Sequence, residues 1–119
     1  MNWIQLTDMS QLPHLIKTSK EQSTTGLTVL IFKHSTRCSI SSMALNRLES
    51  KWKDSETTQP YFLDLLAHRD ISNEIATLFN VEHASPQVLL IKDGKCFYHR
   101  SHTEISALDI AEVITTQTQ

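Results

Sequence analysis

"LTVLIFKHSTRCSIS", Leu27 to Ser41, joins two different hydrophobic patterns across a short polar turn. Leu27 to Phe32 is almost uninterruptedly apolar and rich in β-formers, the composition of a strand covered on both faces of a sheet. From Ser39 to Lys53, Ile40, Met43, Ala44, Leu48 and Trp52 recur at helical spacing with no internal glycine or proline. The turn between them therefore takes a strand into a helix, and Cys38 stands at the helix start.

The same alternation continues outward from this junction. Upstream, Ser10 is a candidate cap and Pro13 falls in the first turn of a short helix that places Leu12, Leu15 and Ile16 on one face. Downstream, Tyr61 to Ala67 reads as a second strand, followed by a helix striped by Ile71, Ile75, Leu78 and Phe79, with Asp70 or Ser72 near its start. Val88 to Ile91 and Cys96 to His99 form a hairpin around Asp93-Gly94, since both turn positions tolerate positive φ. Ala107, Ile110, Ala111 and Ile114 stripe a last helix, and the terminal "TQTQ" reads as frayed. Lys17 to Gly26 and Asp54 to Pro60 read as polar loops within one domain, residues 1–119.

The order, a helix and then β-α-β-α-β-β-α, looks like the thioredoxin fold. The expectation is an α/β sandwich with a mixed four-stranded sheet flanked by helices and an additional N-terminal helix.

Composition narrows the function. The 119 residues carry 13 acidic and 11 basic side chains, a formal charge of -2, with no lysine- or arginine-rich block. Nucleic acid is not the expected partner, because its binding rests on phosphate neutralisation. No apolar run approaches the roughly 20 residues that span a bilayer, and the first ten lack the basic and apolar regions of a signal peptide. A cytoplasmic protein without membrane contact is expected. Two cysteines, Cys38 and Cys96, are too few for a disulfide scaffold or an all-cysteine zinc site.

At a helix start, unpaired N-H groups and the helix dipole favour an anion, here the Cys38 thiolate. Arg37 adds a positive charge beside it, and the hydroxyls of Ser35, Thr36, Ser39 and Ser41 are candidate donors to the sulfur or caps of the helix. Ser41 stands where a Cys-x-x-Cys motif would have its second thiol, so the motif reads Cys-x-x-Ser and the feasible chemistry is exchange through one thiol. The competing reading is a small buried hydrophobe, the usual fate of an isolated cysteine. Cys96, between Lys95 and Phe97, reads as structural unless its Cα approaches that of Cys38. The Ser85-Pro86 bond is open to either isomer. His34, His68, His83, His99 and His102 match no finger or HExxH spacing, so no metal is expected. A Cys-x5-Arg phosphate loop fails at Ala44.

Three segments in common order carry a more specific likeness: Lys33-His34-Ser35 with Cys38-Ser39-Ile40-Ser41, then Arg69-Asp70-Ile71-Ser72, then Val81-Glu82-His83-Ala84-Ser85-Pro86-Gln87. Over nearly its whole length the chain resembles the YtxJ-like monothiol bacilliredoxins of the bacterial bacillithiol system. That resemblance implies Cys38 as redox nucleophile, Ile40 as a packing residue, Ser41 in place of a resolving cysteine and Pro86 as a cis-proline facing Cys38. It also implies that Ser85 and Pro86 bind the substrate, with bacillithiol or a similar small thiol as co-substrate, no bound cofactor, and S-thiolated proteins as partners. Arg37 and Ser39 stand where that family usually has threonine and proline. The alternatives are an iron-sulfur carrier of the monothiol glutaredoxin kind, or a thioredoxin-like interaction domain with an inert Cys38.

Overall fold

The computed structural model describes residues 1–22 and 27–117. Its strands are β1 (Ile4–Gln5), β2 (Thr28–His34), β3 (Thr58–Asp64), β4 (Gln87–Lys92) and β5 (Lys95–Ser101). Its helices are α1 (Gln11–Glu21), α2 (Ser39–Lys51), α3 (Arg69–Phe79) and α4 (Ala107–Gln117). The sheet runs β1-β3-β2-β4-β5; β1, β3 and β2 are parallel, and β4 is antiparallel to both β2 and β5. The sheet thus has five strands rather than four, the fifth being a two-residue addition beside β3.

Strand β2 is central and completely buried, and its alternation divides the core. Val29 and Ile31 pack with Leu12, Leu15, Ile71, Ile75 and Phe79 under α1 and α3. Leu30 and Phe32 pack with Ala44, Leu48, Ile110 and Ile114 under α2 and α4. The strand runs two residues past its apolar run, so Lys33 continues the first face and His34 the second.

Several boundaries differ from the periodicity. Lys17 to Glu21 is helical, because α1 continues to Glu21, whereas residues 23–26 lie outside the described residues. Ser10 makes no side-chain cap; Asp8 Oδ1 accepts its N-H, and Gln11 Oε1 accepts those of Thr7 and Asp8. β3 begins at Thr58 and ends at Asp64, with Pro60 tolerated because β1, the neighbour on that side, pairs no earlier than Tyr61. α2 ends at Lys51, and its inward face is Ser41, Ala44 and Leu48. Ile40 and Met43 point outward, 48% and 60% exposed, so Ile40 is not a packing residue. Leu78 likewise leaves the α3 stripe, and Thr116 and Gln117 belong to α4. The Asp93-Gly94 hairpin stands, with φ of 53° and 75°; Gly94 N-H donates to Ser19 Oγ at 2.8 Å, tying the hairpin to α1.

Candidate functional site

Three connections meet at one end of the sheet: the β2-α2 turn, the residues leading into β4, and the 3₁₀ turn His102–Glu104 that follows β5. In the β2-α2 turn, Cys38 N-H donates to Ser35 O and Ser42 N-H donates to Cys38 O, each at 3.1 Å. The first bond closes a four-residue turn and the second begins α2, so Cys38 is the N-cap residue, with extended backbone (φ -108°, ψ 119°) and a half-buried thiol. Thr36, Arg37, Ser39 and Ile40 are exposed around it, Ser35 is half-buried, and Ser41 is fully buried.

Opposite this turn the Ser85-Pro86 bond is cis. Lys33 pairs with Gln87 across the antiparallel β2-β4 ladder, so the next step brings Pro86 level with His34 at the strand end from which the Cys38 turn departs. Pro86 is buried and its carbonyl accepts the His102 N-H at 3.0 Å. Arg47 of α2 donates to the carbonyl of His102 at 3.3 Å, linking the cysteine-bearing helix to the loop behind the proline. The Ser85 hydroxyl is buried with no hydrogen-bond partner among the described residues.

Ser41, three positions after Cys38, holds the turn from below. Its Oγ lies 2.7 Å from His34 Nδ1 and accepts the Ser35 N-H at 3.0 Å. The His34 ring sits between Phe32 and Phe62, at centroid distances of 6.0 and 5.5 Å. Burial lowers its pKa from 6.5, against the opposing pull of Asp64 and Glu49, so the neutral ring is favoured. On the other face Lys33 Nζ donates to Ser72 O at 3.1 Å and lies 3.3 Å from His83 Nδ1, which also meets Ser72 Oγ at 3.2 Å. An ammonium has only donors, so Nδ1 is the unprotonated nitrogen of a neutral His83. Burial pushes the Lys33 amine down to about 8.

Cys96 is elsewhere. It pairs with Ile91, which pairs with Val29, five residues before His34 and hence about 16 Å from that end of β2 at ~3.3 Å per residue. A disulfide needs Cα atoms within about 7 Å, so Cys38 and Cys96 do not pair within one chain. Burial beside the α1 face raises the Cys96 thiol pKa, and its S-H contacts Tyr98 O at 3.4 Å.

Among the described residues no three histidine, cysteine or acidic side chains converge as metal ligands, and no helix is long and apolar enough to cross a membrane. Spacing gives Lys33 no role, considers His34 and His83 only as metal ligands that match no known pattern, and marks Ser72 only as a residue near a helix start. The available signal was two ionisable residues closing an otherwise apolar central strand, where a strand end meets a site.

Among solved structures, the chain is 29% identical to a protein described as an oxidoreductase candidate with a thioredoxin fold, at a TM-score of 0.75 over 92% of this chain and 90% of that one. Thioredoxin of Fasciola hepatica is 22% identical, at a TM-score of 0.66 over 95% and 97% of the two chains. Mitochondrial thioredoxin 3 of Saccharomyces cerevisiae is 18% identical, at 0.70 over 96% and 94%. Residues 4–110 match the family described as monothiol bacilliredoxin BrxC. The chain belongs to the monothiol bacilliredoxin family, thiol oxidoreductases built on the thioredoxin fold.

Proposed function

We propose that this protein removes a low-molecular-weight thiol, bacillithiol or a close equivalent, from mixed disulfides on protein cysteines, in the reducing interior of a bacterial cell. The observation that carries the reading is a lone half-exposed thiol at the N-terminus of α2, with buried Ser41 three residues on and the other cysteine at the far end of the sheet.

The Cys38 thiolate attacks the small-thiol sulfur of the mixed disulfide. That forms a Cys38-small thiol disulfide and expels the protein cysteine as a thiolate, which takes up a proton. A second small thiolate then attacks the same sulfur, freeing Cys38 and leaving a symmetrical small-molecule disulfide. In sum, one free small thiol and the mixed disulfide become a protein thiol and a symmetrical small-molecule disulfide, and Cys38 is unchanged at the end.

Exposed Ile40 and Met43 beside Cys38 offer apolar area to a protein substrate. The Pro86 carbonyl is occupied by His102, which leaves the Ser85 backbone to pair with an extended substrate strand and its unpartnered hydroxyl to gain a partner. Arg37, Thr36 and Ser39 line the exposed rim, where the small thiol's polar groups would lie.

The test is reduction of a protein carrying one bacillithiol mixed disulfide, with free bacillithiol present, followed by intact mass spectrometry. Wild type and Cys96→Ser should turn over and carry one small-thiol adduct in the half-reaction. Cys38→Ser should fall to the uncatalysed rate with no adduct; turnover by Cys38→Ser at the wild-type rate would refute the assignment.

A further inference from the structure

We propose that His34 and Ser41 form a positioning pair that holds the Cys38 turn in the geometry of attack, so that position 41 is filled for its hydroxyl and not merely emptied of a second thiol. This rests on the reading of Cys38 as nucleophile and adds to it a residue, His34, that is almost completely buried.

The hydrogen-bond inventory of Ser41 decides its role. A serine hydroxyl has one hydrogen and two acceptor sites. The Ser35 N-H takes one acceptor site, and the other partner of Oγ is His34 Nδ1, at 2.7 Å. Ser41 is 0% exposed, so its hydrogen cannot be given to solvent. The hydrogen of Ser41 has an acceptor only if the hydroxyl donates to an unprotonated Nδ1, which puts the proton of a neutral His34 on Nε2. The hydrogen of Ser41 is then committed to His34 and is not the donor that steadies the Cys38 sulfur.

What the pair controls is the turn. Ser35 is held twice, through its N-H by Ser41 and through its carbonyl by the Cys38 N-H at 3.1 Å. The chain from His34 to Ser41 is thereby closed into a loop whose two ends touch, with Cys38 between them. His34 is itself fixed, stacked on Phe32 at an interplanar angle of 24° and paired in the ladder with Asp64. An alanine at position 41 would leave Ser35 N-H unpaired and Nδ1 without its donor; a phenylalanine at 34 would keep the ring packing but leave the Ser41 hydrogen with no acceptor.

Protonation probes the same link. The charged and titratable groups facing His34 are Asp64 from β3 and Glu49 from α2, and burial outweighs both in lowering its pKa. Adding a proton converts Nδ1 from acceptor to donor, so the hydroxyl hydrogen of Ser41 loses its partner and the turn loosens as the solution is acidified.

The experiment measures iodoacetamide alkylation of Cys38 by intact mass, and mixed-disulfide turnover in parallel, for Ser41→Ala, His34→Phe, the double variant and His34→Asn in the Cys96→Ser background. Thermal unfolding confirms that each variant is folded. Each of the first two should slow both reactions about tenfold, and the double should be no slower than either alone rather than about a hundredfold down. His34→Asn, whose amide oxygen can accept near the Nδ1 position, should return to within about threefold of the parent. The ratio of parent to His34→Phe rates should shrink toward one on acidification. Single variants within about twofold of the parent, multiplicative losses in the double, no recovery in His34→Asn, or a ratio independent of pH would each overturn the pairing. Turnover surviving in Cys38→Ser would instead overturn the nucleophile assignment, while the alkylation pattern would still decide the pair.

Discussion

Lys33 and His34 are neighbours in one strand, both almost completely buried, and they meet opposite physical problems on the two faces of the sheet. His34 faces α2 and finds a hydroxyl that can give it a hydrogen, together with two aromatic rings to pack against, so a neutral ring has its Nδ1 satisfied. Lys33 faces α3 and finds a backbone carbonyl and a neutral imidazole, with no carboxylate among its partners in the described residues. One side of the site end is a closed neutral network; the other is a cation held by dipoles alone. Burying a charge without a counter-charge is costly, and polar partners offset only part of that cost. The contrast teaches that the Cys38 face is arranged for a fixed geometry, whereas the α3 face carries a stored electrostatic cost.

The largest effect should come from removing that cost. Lys33→Met, of similar reach and no charge, is expected to stabilise the fold at pH 7 by up to about 3 kcal/mol, the equivalent of the amine's descent from 10.5 to about 8. Because the folded value lies below the unfolded one, the unfolded chain binds more protons between pH 8 and 10.5. Wild type should therefore gain stability as pH rises through that window and lose it as pH falls to 8. Urea midpoints across the window should contain a rising component in wild type that is missing from Lys33→Met, where the raised pKa values of Cys96, Tyr61 and Tyr98 leave stability falling with pH. A destabilised variant at pH 7 would mean that Lys33 is held by more than dipoles, and the two faces would no longer differ in kind.

On the opposite face the sign should reverse. His34→Phe keeps an aromatic ring between Phe32 and Phe62 but leaves a buried hydroxyl hydrogen without an acceptor, a loss of about 1–2 kcal/mol. It should appear as a lower urea midpoint with an unchanged m-value. A stabilised His34→Phe would make the His34 face as costly as the Lys33 face and break the comparison.

The fold was legible because its signals are local: an apolar central strand, helical stripes, and an Asp-Gly hairpin whose two residues take the positive φ they tolerate. Cys38 at a helix start was legible for the same reason. Two things were not. The inward or outward direction of Ile40 and Met43 depends on how α2 rotates over the sheet, and Ser41, Ala44 and Leu48 win the buried face because Ser41 finds partners at the strand end. Likewise, the roles of Lys33 and His34 depend on the strand running two residues past its apolar stretch, which spacing alone does not reveal. β1 escaped notice because two residues carry no period; its pairing with Tyr61 and Phe62 comes from the tertiary arrangement.

The smallest expected effect tests how far the Lys33 problem reaches the loop that carries Pro86. His83 is exposed, three residues before the proline, and its Nδ1 is an acceptor for the buried ammonium. Its pKa is lowered from 6.5 by partial burial first, then by Lys33 and Arg69, so protonating it sets one cation against two others. The depressed folded value means that stability is complete above about pH 6.5 and is lost as pH falls through the folded value. His83→Ala should lower stability at pH 7 by less than about 1 kcal/mol, since solvent can replace much of the contact at an exposed side chain, and should remove part of the acid-side slope. In the Lys33→Met background the same change should do less still, because the acceptor no longer has an ammonium to serve. Equal effects in the two backgrounds, read from urea midpoints at pH 5 to 8, would uncouple His83 from Lys33 and leave the Pro86 loop held by its bonds to His102 and between Gln87 and Glu82.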